Sequence, residues 1–144
     1  RGTRAITERN RAPIRVTLER IFLMYAAVGA PGLMTQLELA AQDVPPDVCT
    51  VLLAHRPELI ADYAASGHFD LVLCGHAHGG QIRVPLLING LYAPNQGWFP
   101  DYAGGEYSVG ETTMIVSRGL GNSLFPLRIN NRPELVVVEL RTEI

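Results

Sequence analysis

Three of the four histidines in this 144-residue chain fall where imidazoles can act together. His55 follows one short apolar run, and His76 and His78 follow the next, set among Gly75, Gly79 and Gly80. Neutral imidazole is the commonest metal-ligating side chain, and an H-x-H pair with one further His makes half of a metal site. Flanking glycines let the backbone turn sharply, so imidazoles two residues apart can converge on one small space. The same residues also suit packing and hydrogen bonding at a strand end, and spacing alone leaves both uses open. His68 lies in a predicted helix-to-strand turn without such glycines and reads as structural or exposed. Arg56, beside His55, and Arg118, in the turn Arg118-Gly119-Leu120-Gly121, are candidate phosphate contacts. Their competing uses are a solvated helix start and a plain Gly-x-Gly turn. Trp98 and Phe99, with Tyr92, Tyr102 and Tyr107, could meet a lipid or a nucleotide, or pack a surface loop on itself.

The elements that would position these residues follow from hydrophobic patterning. Residues 48–54 form a β-branched and aliphatic run typical of a strand covered on both faces. Pro57 fits the first turn of a helix running to about residue 65, which Gly67 ends. Residues 69–74 make a second buried strand, so strand, helix and strand predict a βαβ unit in an α/β sheet. All three histidines then sit at C-terminal strand ends, the edge where open α/β sheets form their sites. Earlier in the chain, residues 14–18 alternate like a half-exposed strand, 21–28 read as a buried strand and 33–42 as a helix. Later, residues 89–111 are rich in Gly, Pro, Asn and aromatics and are predicted to be one long loop. Residues 112–117 return to strand, and 127–129 and 135–140 read as closing strands.

Composition bounds the alternatives. A hydrophobic fraction of 47% with 18% charged residues supports a real core and argues against disorder. The net charge of −2 provides no overall basic field for nucleic acid, although residues 1–20 carry six Arg against two Glu. All 12 basic residues are Arg. Cys49 and Cys74 lie in apolar runs and read as buried free thiols. The uncharged stretch 21–37 is broken by Gly29, Pro31 and Gly32, leaving about half of a ~20-residue membrane span. No transmembrane segment is predicted.

The segment Leu53-Ala54-His55-Arg56-Pro57-Glu58, followed by Asp70-Leu71-Val72-Leu73-Cys74-Gly75-His76-Ala77-His78-Gly79-Gly80-Gln81, resembles the last two motifs of calcineurin-like metallophosphoesterases. The stretch Val116-Ser117-Arg118-Gly119-Leu120-Gly121 and the stretch from Pro126 to Glu134 extend the likeness. Together they resemble the family's bacterial membrane-associated branch, with enzymes similar to UDP-2,3-diacylglucosamine pyrophosphatase. The resemblance runs over about residues 48–140 and implies the C-terminal part of a metallo-dependent phosphatase β-sandwich flanked by helices. It implies a two-metal centre of Mn, Fe or Zn, with His55 and His76 on one ion and His78 on the other. The implied substrate is a phosphoester, with a lipid phosphate or a nucleotide-sugar phosphate as the class. The implied location is cytoplasmic or peripheral at the bacterial cytoplasmic membrane.

The departures are as informative. The family's Asp-x-His, Gly-Asp and Gly-Asn-His motifs do not occur here: none of Asp43, Asp47, Asp62, Asp70 and Asp101 is followed by x-His or preceded by Gly. Residues 1–144 are therefore expected to be a single, N-terminally truncated metallophosphoesterase domain, with its catalytic residues upstream of Arg1 and no turnover by itself. A different class of reading is a non-catalytic binding or assembly module that keeps the fold. A third is a protein holding one metal through the three His alone.

Overall fold

The computed structural model describes residues 15–17, 32–45, 48–122 and 125–140. The predicted strand at 21–28 lies outside them. Seven strands and two α-helices are defined in this set. They run β1 (Arg15–Thr17), α1 (Leu33–Ala41), β2 (Thr50–Ala54), α2 (Ile60–Ser66), β3 (Leu71–Cys74), β4 (Tyr92–Ala93), β5 (Gly97–Trp98), β6 (Gly105–Val109) and β7 (Thr112–Val116).

The main sheet has the order β1-β2-β3-β7-β6, with β4 and β5 forming a separate two-stranded ribbon. The pairings β1 with β2, β2 with β3 and β3 with β7 are parallel, and β6 closes the sheet antiparallel to β7. The α/β reading therefore holds, and the βαβ unit runs through β2, α2 and β3. A parallel pair needs a crossover connection, and the apolar runs 48–54 and 69–74 with a helix between them satisfy that requirement. Pro57 opens a short 3₁₀ turn (Pro57–Leu59) that feeds α2. Gly67 caps α2 in the left-handed region at φ 69°, where a residue without a Cβ meets no steric penalty.

The core lies between the sheet and the helices. Leu37 of α1, Ile60 and Tyr63 of α2, Val72 of β3 and Met114 and Val116 of β7 are essentially removed from solvent. Along β7 the buried residues Thr112, Met114 and Val116 alternate with half-buried ones, the period of a strand with one face inward. Polar tethers fix the start of the strands: the Thr50 backbone N–H donates to Asp70 Oδ2 at 2.7 Å, and the Thr112 hydroxyl donates to the Phe69 carbonyl at 2.7 Å.

Two sequence expectations need correction. Residues 89–111 are not one loop, because they contain β4, β5 and the five-residue β6. β6 is an edge strand with little buried surface, so it shows no apolar alternation, and its pairing comes from the two-residue turn Gly110-Glu111. Gly110 has φ 57°, the left-handed conformation that a tight hairpin demands at this position. The predicted closing strands at 127–129 and 135–140 are not strands either. Ile129 makes only an isolated bridge to Ile82, and residues 131–140 are irregular. The alternating pattern is present, but no neighbouring strand among the described residues pairs with it, and Leu135 and Val137 stay exposed.

Candidate metal centre

β2 and β3 end level with one another, Ala54 opposite Cys74, and β7 ends beside them with Val116 opposite Cys74. The three chains leaving these ends place His55, His76 and Arg118 along one edge of the sheet. The rings of His55 and His76 lie 4.1 Å apart between centroids, tilted by 43°. The His78 ring is 6.5 Å from that of His76. His68 precedes β3, at the opposite end of that strand, and its ring neighbour is Phe69. The structure thus brings together the three histidines expected at the site and leaves His68 away from them.

The turn after β3 is conformationally unusual. His76 and His78 adopt φ values of 68° and 47°, and Gly79, Gly80 and Gln81 follow at 65°, 64° and 62°. For residues with a Cβ, the left-handed region costs on the order of 1 kcal/mol each, and such strain collects at functional sites. Neighbouring segments hold the turn. The Leu91 N–H donates to the Gly80 carbonyl at 2.8 Å, and a side chain at Gly80 would collide with the backbone of Gly90. The buried Asn131 amide donates to the carbonyls of His78 at 2.7 Å and Gln81 at 3.2 Å.

Electrostatics favour uncharged imidazoles. Burial lowers the pKa of His55, as does the nearby His78, while the Glu58 carboxylate opposes the shift. His76 is lowered for the same reasons, burial first and then its two histidine neighbours. His78 Nδ1 meets the Gly121 carbonyl at 3.3 Å. A carbonyl can only accept, so Nδ1 is the donor in this pair and Nε2 is the ring nitrogen that faces away from it. Two adjacent imidazole rings, with a third beyond them, are donors of the kind that divalent metals take. Among the described residues, no three His, Cys, Asp or Glu side chains gather closely enough to hold one ion. The anionic ligands that a metal pair requires are not part of this set.

The two candidate phosphate contacts are both in ion pairs. Arg56 Nε binds Glu58 Oε1, and Arg118 Nη2 binds Glu134 Oε1 at 2.7 Å. Trp98 and Phe99 are exposed, with Trp98 set edge-on to Tyr92 and Tyr102 edge-on to Tyr107. Sequence reasoning assigned no role to Glu58, Asn131 or Arg128. Glu58 carries the negative charge felt by His55 and His76. Arg128 donates to the carbonyls of Arg118 and Gly121 and so backs the group that faces His78. The signal that could have found Asn131 is a polar residue inside the motif around residue 130, which reads as a turn until its burial is known.

No protein-family model matches the chain, and no solved structure matches it. Curated relatives do. The chain is 41% identical over 90 residues to phosphodiesterase YaeI of Escherichia coli (strain K12), covering 62% of this chain and 32% of the relative. It is 36% identical over 96 residues to the uncharacterized metallophosphoesterase YkuE of Bacillus subtilis (strain 168), covering 65% of this chain and 31% of the relative. It is 40% identical over 108 residues to a transmembrane protein with metallophosphoesterase domain from Bos taurus, covering 73% of this chain and 22% of the relative. The chain thus spans about a third or less of the length of these relatives. Among the described residues no helix is long and apolar enough to cross a membrane. Shared sequence with several metallophosphoesterases, together with an α/β sheet whose strand ends gather the motif histidines, places this chain among the calcineurin-like metallophosphoesterases.

Proposed function

We propose that this chain is the histidine-bearing part of a metal-dependent phosphoester hydrolase with a two-metal centre. In this reading His55 and His76 hold one divalent ion, His78 holds the other, and residues outside 1–144 contribute the anionic ligands. Paired divalent ions supply positive charge that clamps a phosphoryl group and steadies both the entering and leaving oxygens. The protein's share is to keep three imidazoles aimed and close. Burial and neighbouring histidines lower the pKa values of His55 and His76, and the Gly121 carbonyl holds the His78 ring through Nδ1. The observation that carries the reading is the convergence of His55, His76 and His78 on one sheet edge, with ring separations of 4.1 and 6.5 Å.

Imidazole ligands bring no negative charge, and two close divalent ions repel one another unless anionic ligands lie between them. The chain alone is therefore expected to hold at most one ion weakly and to hydrolyse no phosphoester at an enzymatic rate. The test compares the 144-residue chain with a longer chain that includes the upstream motifs of its parent protein, each loaded with Mn or Zn. A generic aryl phosphodiester is the first substrate, followed by lipid phosphates and nucleotide-sugar phosphates. Activity is expected only in the longer chain and is lost in His76→Ala and in His78→Ala. Equal activity in both chains overturns the two-metal division of ligands. An inactive longer chain that still folds overturns the enzymatic reading in favour of a binding or assembly module.

A further inference from the structure

We propose that Asn131 is a positioning residue that locks the turn carrying His76 and His78 in its ligand-ready, left-handed form. The inference rests on the metal-site reading above and deepens it. Asn131 lies 53 residues beyond His78 and is 2% exposed. Its side chain carries two N–H donors, and they meet two carbonyls, those of His78 and Gln81, which bracket the Gly79-Gly80 turn. One amide therefore clamps both ends of the turn. The orientation of the amide is fixed by chemistry, because its oxygen in the same place would face two acceptors.

Gly79 completes the clamp. A Cβ there would run into the Asn131 amide, so the absence of a side chain at 79 is what lets Asn131 approach. The run of positive φ from His78 to Gln81 has to be held from outside, since non-glycine residues leave the left-handed region when nothing restrains them. Segment 118–131 grips His78 twice. Asn131 holds its carbonyl, and the Gly121 carbonyl, backed by Arg128, holds its ring. Releasing the first grip frees His78 to rotate about its backbone, and with it the direction of Nε2. A residue that merely filled space would make neither hydrogen bond.

The test uses the 144-residue chain, with Asn131→Leu as the isosteric variant that keeps the branching and removes both donors. Thr112→Val is the control, because it deletes a buried hydrogen bond at the far end of β3 and β7. Three measurements are taken: thermal unfolding, the imidazole ¹H–¹⁵N spectrum of the metal-free chain, and Zn(II) affinity by calorimetry. In Asn131→Leu the His78 and His76 imidazole signals are expected to move while that of His68 stays. Zn(II) affinity is expected to fall about 10- to 100-fold, the usual loss when a residue that orients a ligand is removed. Thr112→Val is expected to lower the melting temperature without moving those signals. A folded Asn131→Leu chain with an unmoved His78 signal overturns the proposal, as does an equal movement in Thr112→Val. If Asn131→Leu does not fold, Gly79→Ala pushes on the same amide from the other side, and an unmoved His78 signal there overturns it equally. A longer chain that includes the upstream motifs and still takes up no Zn(II) defeats the metal reading, while the imidazole spectrum of the 144-residue chain still decides the role of Asn131.

Discussion

Replacing Gly80 by Ala isolates the close backbone approach that shapes the candidate centre. Gly80 has φ 64°, and a Cβ there would overlap Gly90 Cα and lie 2.9 Å from Gly90 C. Both atoms are backbone, so no side-chain rotation relieves the overlap. Gly67 is the matched reference, because it has φ 69° with nothing within 4 Å of the added carbon. At Gly67 the cost is the left-handed penalty of about 1–2 kcal/mol, offset by about 0.4–1 kcal/mol of reduced unfolded-chain freedom. At Gly80 two further costs are added. Displacing the 90–91 backbone endangers the Leu91-to-Gly80 hydrogen bond, worth about 1 kcal/mol, and overpacking costs about 1–3 kcal/mol. The sums are about 1 kcal/mol for Gly67→Ala and about 3–5 kcal/mol for Gly80→Ala. At about 3 °C per kcal/mol for a chain of this size, the two variants should melt roughly 3 °C and 10 °C below wild type. Urea unfolding should show a lower midpoint with an unchanged slope for both. Equal losses in the two variants would refute the reasoning, since they share the dihedral and differ only in the approach of Gly90.

Two further outcomes follow from single groups. The Arg118 guanidinium holds the Glu134 carboxyl below the usual carboxylate range, against a smaller opposing effect of burial. A carboxyl whose folded pKa is depressed stabilises the fold fully above its unfolded value, and that stability disappears as pH falls through the folded pKa. Because the pair is partly exposed, its contribution is about 0.5–1 kcal/mol, so Glu134→Gln should lower stability by that much at pH 7. The difference from wild type should close toward pH 3, and a constant difference down to pH 3 would exclude the ion pair as its cause. Burial, followed by the charge of Glu58, pushes the Cys74 thiol up to about 12. Only the thiolate reacts, so iodoacetamide at pH 8 should label Cys49 well before the 5%-exposed Cys74. Mass spectrometry showing equal labelling rates would contradict this burial.

The sequence by itself determined the parts of the molecule that local chemistry encodes. The β2-α2-β3 unit was legible because two aliphatic runs and a helix bounded by Pro57 and Gly67 state their periods and ends within a few residues. The placement of His55, His76 and His78 followed directly, since each leaves the end of a run whose burial is visible in its composition. β6 was not legible, because it has no apolar face and an edge strand is defined by its hydrogen bonds to β7 rather than by its own pattern. The converse holds for residues 135–140, which have the alternation of a strand without a partner among the described residues. Tertiary structure alone decided the rest. Arg118 was legible as a cation, but its engagement with Glu134, 16 residues on, depends on folded distances. Asn131 is separated by 53 residues from the carbonyl it holds, and no local periodicity reports a contact made across that length. Burial turns that asparagine from an ordinary turn residue into a clamp, because a buried amide must spend its donors on whichever carbonyls the fold brings to it.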